Sequence, residues 1–535
     1  YYMKEKIEVN FDNVHWADNA AKNVIEKFPN EKIYTVASGI TPSGIVHVGH
    51  FREIITSEFV RKALENKGKK TNFIYSWDSY DAFRKVPKNV PSEWEKYLRL
   101  PDANVPDPSG KYSSFAEKFM KEAEDSLEVF NFPINFQRQH ELQTSGIYAE
   151  GIKKCLNKLD EIKRILNSFR DEDHQLESDW MPLTVYSEKT GKDTTKILSY
   201  DGKYSIKYKC LETNYENIID FRKTPIVKLA WRLDWPMRWA YFGVSYEPGG
   251  KDHSSPGSSY ETGKEIIKEV FDREAPEYTA YNFVAMKGQG GKVSSSAGNG
   301  ATIGDVLKVY TAEMVLFLFA GTRPNAEFSI SFDEDIIKLY EDFDKLERVY
   351  FDVDEEKNAK KLATLKRTYE LSMVNGREIP KKIPFQVTFR HLVNISQAND
   401  LDFDKTKAVY SSEIKTKFDE LRFKERFDCV KNWLEIYAED DMKFSILHSV
   451  SDSVRKEISA GVKKVLPQMV KAIEESSEAR DLVSSFKELS AVAGVDMKEF
   501  FRELYLIIVG NERGPRLAGL MFENKEKIIK LLKEV

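Results

Sequence analysis

The chain has 535 residues, 41% hydrophobic and 31% charged, with 81 Lys and Arg against 86 Asp and Glu for a net charge of −5. This is the balance of a soluble globular protein of about three domains. No run approaches the ~18 apolar residues of a membrane span and no apolar core follows the N-terminal residues, which excludes a membrane protein, while the net charge does not announce a nucleic-acid binder.

A local basic stripe can still hold phosphates on an acidic protein. Cys155, Cys210 and Cys429 are far apart and none has a partner at metal-ligand spacing. Three free thiols fit a reducing, cytoplasmic setting.

Residues 32–39 predict a buried strand, rich in β-formers and closed by Gly39. Residues 47–66 predict a helix, because Val48, Phe51, Ile54, Ile55, Phe59, Ala63 and Leu64 recur at helical spacing before Gly68. Residues 71–77 predict the next strand, and strand, helix, strand is the βαβ unit of a parallel sheet. Pro87, Pro91, Pro101, Pro106 and Pro108 mark a long irregular connection. Residues 140–170 predict mixed-charge helix, and 183–222 predict short strands joined by turns. The α/β pattern resumes at 224–330, and from about 335 helical periodicity dominates. There Ile458, Val462, Val465, Met469 and Ile473 share a face, although Pro467 should kink or split that helix. Asp496 with Glu499 predicts a capping box. The expected division is an α/β sheet domain in two halves, 1–109 and 223–334, an insertion at 110–222, and an all-α domain at 335–535.

Two stretches carry chemistry. The first is the turn after the first strand, with Pro42, Ser43, Gly44, His47, Gly49 and His50. A nucleotide sits outside the carboxyl ends of parallel strands, where free backbone N–H groups and the helix dipole favour phosphate. His47 and His50 are three apart and share a helix face, so both imidazoles can donate to phosphate oxygens as charge builds. The second stretch is 286–299, a glycine-rich loop with Lys287, Lys292, Val293, Ser294, Ser295 and Ser296, suited to closing over a triphosphate. Alone, a His pair or a Gly/Ser/Lys loop is more often a solvated feature than a site.

Together, His47-Val-Gly-His50 and Lys292-Val-Ser-Ser-Ser296 resemble the paired signature of class I aminoacyl-tRNA synthetases, and one branch in particular, class I lysyl-tRNA synthetase. The similarity extends over Thr35-Val-Ala-Ser-Gly-Ile-Thr-Pro-Ser-Gly44, Tyr75-Ser-Trp-Asp-Ser-Tyr-Asp81, Trp231-Arg-Leu-Asp-Trp-Pro-Met-Arg-Trp239, Gly250-Lys-Asp-His253, Phe328-Ser-Ile-Ser-Phe-Asp333 and Gly514-Pro-Arg-Leu517. The resemblance implies a Rossmann-like catalytic domain with an insertion contacting the acceptor end, followed by a helical anticodon-binding domain. It implies ATP, carried with Mg2+, as cofactor and L-lysine and tRNA(Lys) as partners. The expected reaction is lysyl-adenylate formation followed by transfer to the terminal ribose, in a cytoplasmic enzyme expected to be monomeric. His47, His50, Lys292, Ser294 and Ser295 would be catalytic. Gly39, Thr41, Trp231, His253 and Tyr281 would line the lysine pocket, with Asp234 and Asp252 as candidate acceptors and Asp78 and Asp81 as weaker ones.

Two departures stand out. Ser295 replaces the second lysine of the class-wide Lys-Met-Ser-Lys-Ser loop, which leaves more of the pyrophosphate to Lys287 or Lys292. The insertion keeps only Cys210 where many members carry paired cysteines, so no structural zinc is expected. For acceptor-end contacts, Lys153, Lys154, Lys158, Lys163 and Arg164 are candidates on a helix face that is more often merely solvated. Phe389, Arg390 and His391 suit base stacking, with buried packing the stronger expectation. The alternatives are a glutamate-type class I synthetase, a small-molecule nucleotidyltransferase and a non-catalytic tRNA-binding relative.

Overall fold

The computed structural model describes residues 14–88, 90–282, 284–287 and 301–535. These form two compact units, one of Tyr1–Val306, Ala312–Ile330 and Asp352–Ile379, the other of Leu307–Thr311, Ser331–Phe351 and Pro380–Val535.

The first unit is built on β1 (Tyr34–Ile40), β2 (Thr71–Trp77) and β3 (Ile134–Arg138), then five short strands, β4 (Leu183–Val185), β5 (Thr195–Tyr200), β6 (Ser205–Cys210), β7 (Glu216–Asp220) and β8 (Val227–Leu229), then β9 (Val244–Gly250) and β10 (Glu277–Tyr281). One sheet has the order β10-β9-β1-β2-β3, and every pairing in it is parallel. The chain winds outward from β1 through β2 to β3, then returns to the other side of β1 with β9. That reversal opens a crevice beyond the carboxyl ends of β1 and β9, the usual ligand position in such sheets.

Helix Val48–Asn66 follows β1 and is buried nearly all round. Its expected apolar face is present, but Arg52, Glu53, Thr56, Ser57, Glu58 and Arg61 are buried too. Several of those polar groups are satisfied internally: Ser57 donates to Ala37 O at 3.1 Å, and Arg61 donates twice to Glu58 at 2.6 and 2.8 Å.

β3 lies within the expected insertion, 110–222, and pairs with β2 in the main sheet. Phe83 before the proline-rich stretch, Val105 within it, and Phe115 and Phe119 after it form one buried cluster. The strands expected at 183–222 are present, as a three-stranded antiparallel sheet, β5-β6-β7, and a β4-β8 pair. Further on, β11 (Val284–Met286) pairs in parallel with β12 (Phe328–Ile330).

The described residues of the second unit form helices joined by loops, with no strand among them. The unit does not take all of 335–535, since 352–379 belong to the first unit. Pro467 does not split its helix: Ala460–Glu475 is one element, with Val462, Val465, Leu466, Met469, Val470 and Ile473 buried. Burial of that face offsets the one backbone bond that proline removes. Asp496 caps helix Met497–Val509 by accepting from Glu499 N at 2.8 Å, while the Glu499 side chain pairs with Arg502. Phe389 packs against Tyr340 and Trp433, whereas His391 lies 3.2 Å from Glu523.

Candidate active site

The turn between β1 and its helix has a defined internal structure. The His47 ring caps the helix, its Nδ1 accepting from Gly49 N at 3.1 Å. The His50 ring stacks on it, with centroids 3.8 Å apart and planes inclined by 24°. A Cβ on Gly49 would lie 2.8 Å from the His47 ring, so the glycine makes room for the cap itself. Gly39 has an equally firm reason: its Cβ would stand 2.5 Å from Ser76 O on the neighbouring strand.

The chain that follows the late loop meets this turn. Lys292, Val293, Ser294, Ser295 and Ser296 lie outside the described residues. The residues that follow do not: Val48 N donates to Ala301 O at 2.9 Å, and His47 forms a β-bridge with Thr302. At the loop's entrance, Lys287 N donates to Ile330 O at 3.0 Å, and the residue is exposed.

A cavity of about 710 Å³ opens beside the turn. Of the residues expected in the site, Gly39, Thr41, Ser43, His50, Trp231, His253 and Tyr281 line it. They come from the ends of β1, β9 and β10 and the starts of the helices after β1 and β8. Pro42, Gly44, His47 and Gly49 shape the turn without lining the cavity. Asp234 does not line the cavity: it is 1% exposed, and its carboxylate takes Gln143 Nε2 at 3.1 Å and lies 3.1 Å from Arg238 Nε. Asp252 also stands apart, exposed on the short turn Lys251–His253.

The cavity also contains Asp78 and Asp81, the weaker candidates, and Glu53, which local pattern did not rank. Asp81 accepts from Thr41 Oγ1 at 2.7 Å and pairs with Lys228. Burial pushes its carboxyl up, but Lys228 and the Thr41 bond hold it below the ordinary range. Asp78 is also buried, which raises it, and is bonded to Arg238 at 2.7 Å. Glu53 accepts from Tyr75 and Tyr281, each at 3.0 Å. Its burial is complete enough to push its carboxyl to about 8 despite those two bonds.

One wall is aromatic. Trp231 stacks on Trp235 with centroids 5.1 Å apart, Trp235 meets Trp239 at 4.6 Å, and Trp239 Nε1 donates to Glu247 at 2.6 Å. His253 meets Trp235 edge-on at 5.7 Å, and burial lowers its imidazole from the usual value.

In the insertion, the turn at 187–191 is closed by Ser187 N donating to Lys192 O at 2.8 Å and Gly191 N to Ser187 O at 2.7 Å. All three cysteines are buried and free of disulfides, and among the described residues no three His, Cys, Asp or Glu side chains are grouped as a metal would need. No helix among the described residues is long and apolar enough to cross a membrane. Of the basic helix residues, Lys158 lies 3.3 Å from Glu269 and Lys163 donates to Ser178 O at 2.6 Å.

Residues 14–375 match the family described as tRNA synthetases class I (K). The chain belongs to that family. The lysine–tRNA ligase of Borreliella burgdorferi is 41% identical over 512 residues, covering 95% of this chain and 96% of that one. The lysine–tRNA ligase of Thermococcus kodakarensis is 40% identical over 530 residues, covering 97% and 99%. That of Pyrococcus horikoshii is 41% identical over 517 residues, covering 95% and 97%. Class I (K) synthetases use ATP.

Proposed function

We propose that the cavity binds lysine beside ATP and that the chain is a lysine–tRNA ligase. The observation that carries the lysine reading is the bond from Thr41 to Asp81. The hydroxyl proton is committed to a carboxylate, so the oxygen offers lone pairs to the cavity. A ligand ammonium suits that oxygen, and a ligand carboxylate does not. The aromatic wall at Trp231 gives the same preference, since a ring face attracts a cation. Acidic side chains among the lining residues argue against the glutamate-type alternative.

The lysine carboxylate is already an anion, so adenylate formation needs no general base. It attacks the α-phosphate and pyrophosphate leaves in line, with catalysis by positioning and charge stabilisation. His50 and His47 donate to the phosphates, and Ser43 with the backbone of Pro42 and Gly44 shapes their cradle. Lys292, Ser294 and Ser295, helped by Lys287, Val293 and Ser296, close over the β- and γ-phosphates. Mg2+ arrives with the nucleotide. In the second step the lysyl group passes to the 3′-terminal ribose of tRNA(Lys). The helical unit reads the anticodon, and the 139–222 region meets the acceptor end. We place the enzyme in the cytoplasm, supported by three free thiols, as a monomer without structural zinc.

ATP–pyrophosphate exchange with each amino acid, with and without tRNA, tests the assignment. Lysine alone should support exchange, and Lys292→Ala should lower its rate far more than lysine affinity. Exchange with glutamate but not lysine would overturn the specificity.

A further inference from the structure

Five carboxyl side chains line the cavity: Glu53, Asp78, Asp81, Asp102 and Asp193. Four are engaged. Tyr75 and Tyr281 donate to Glu53, Arg238 to Asp78, Thr41 and Lys228 to Asp81, and Arg99 to Asp193 through two bonds of 2.7 and 2.6 Å.

Asp102 is the exception among the described residues. It is 1% exposed, yet neither carboxylate oxygen has a hydrogen-bond partner. Its place is fixed by backbone bonds: Asp102 N donates to Asp81 O at 2.8 Å, and Pro101 forms a β-bridge with Ala82. Asp102 is thus tied to the residue that holds Thr41. Burial, with the neighbouring Asp81, pushes its carboxyl well above the ordinary range, against the opposing influence of Lys228 and Arg84.

A buried carboxyl with both oxygens unmatched is costly to keep, and native proteins keep such groups where a ligand completes them. The missing partner must be a donor, and a cation satisfies the group best because it also stabilises the ionised form. Lys228, one of the two cations that act on it, is already paired with Asp81.

We propose that Asp102 is a further specificity residue, its carboxylate receiving an ammonium group of the amino-acid substrate. This rests on the reading of that substrate as lysine. Lysine carries two ammonium groups, at the α- and ε-positions, and either supplies the required chemistry.

The experiment measures dissociation constants by calorimetry for wild-type protein and Asp102→Asn, which keeps the side-chain volume. The ligands are lysine, norleucine, which lacks the ε-ammonium, and 6-aminohexanoate, which lacks the α-ammonium. Lysine should bind the variant at least about tenfold more weakly, as expected for losing one charge-assisted bond, while ATP affinity stays within about twofold. The analogue lacking the ammonium that Asp102 takes should bind both proteins equally, and the other analogue should weaken as lysine does. Unchanged lysine affinity, or equal weakening of both analogues, overturns the proposal. If Asp102→Asn does not fold, Asp102→Ser tests the same expectation. Lysine-dependent pyrophosphate exchange by the wild-type protein is run alongside: its absence would sink the lysine reading, whereas its presence with an unaffected variant would sink only the role of Asp102.

Discussion

Tyr281 directs its phenolic O–H at Glu53, 3.0 Å away, and thereby joins the end of β10 to the second turn of the helix after β1. Burial raises the Glu53 carboxyl to about 8, with smaller upward contributions from Glu247 and Asp78. The acid is therefore neutral in the folded protein at pH 7 and ionised in the unfolded chain. Between the unfolded value near 4.5 and about 8 the folded state binds more protons, so this group's effect on stability becomes less favourable as pH rises.

Glu53→Gln should remove that slope. Melting curves at pH 5, 6, 7 and 8 should show the wild type losing stability relative to the variant by at most about 1.4 kcal/mol per pH unit. Parallel curves for the two proteins would mean that Glu53 is ionised when folded.

Thr41→Val keeps the shape of the side chain but deletes the proton given to Asp81 and the oxygen offered to the cavity. The KM for lysine should rise by about tenfold, the scale of one hydrogen bond to a charged group, with KM for ATP unchanged. Thr41→Ser should restore most of the loss. A change in ATP KM alone would place Thr41 with the nucleotide instead.

Gly39→Ala drives a methyl group into Ser76 O, a backbone atom one pair from the carboxyl end of the β1–β2 ladder. Forcing those strands apart should cost about 1–3 kcal/mol, read as a lower Tm, and should reduce exchange activity as well because β1 ends at the cavity. A variant with wild-type Tm would show that the ladder yields more easily than the contact implies.

Metal analysis of the purified protein checks the insertion. Zinc well below one equivalent is expected, since Cys210 has no second thiol nearby in sequence and the 187–191 turn is closed by backbone bonds. A full equivalent that survives dialysis would reverse this.

Local pattern carried much of the fold. The helix after β1 declared itself through its apolar spacing, and β1 and β2 through runs of β-forming residues. β3 did not, because five residues with polar members look no different from a strand in an insertion. The His47–His50 turn was legible because its cap and ring stacking join residues a few positions apart. Glu53, Asp102 and Lys228 were not, since their meaning lies in pairings made only on folding. Asp81 stands 40 positions from Thr41 and 147 from Lys228.

The ladder of Trp231, Trp235 and Trp239 has a consequence for how the protein can be observed. Three of its eight tryptophans lie in ring contact, and the first of them is on the cavity wall. Excitation energy passes readily between indoles at such separations, so a quencher or a charge placed against Trp231 is felt by the whole set. The chain carries its own optical gauge of occupancy, and a ligand entering the cavity should register in its native emission without any attached dye.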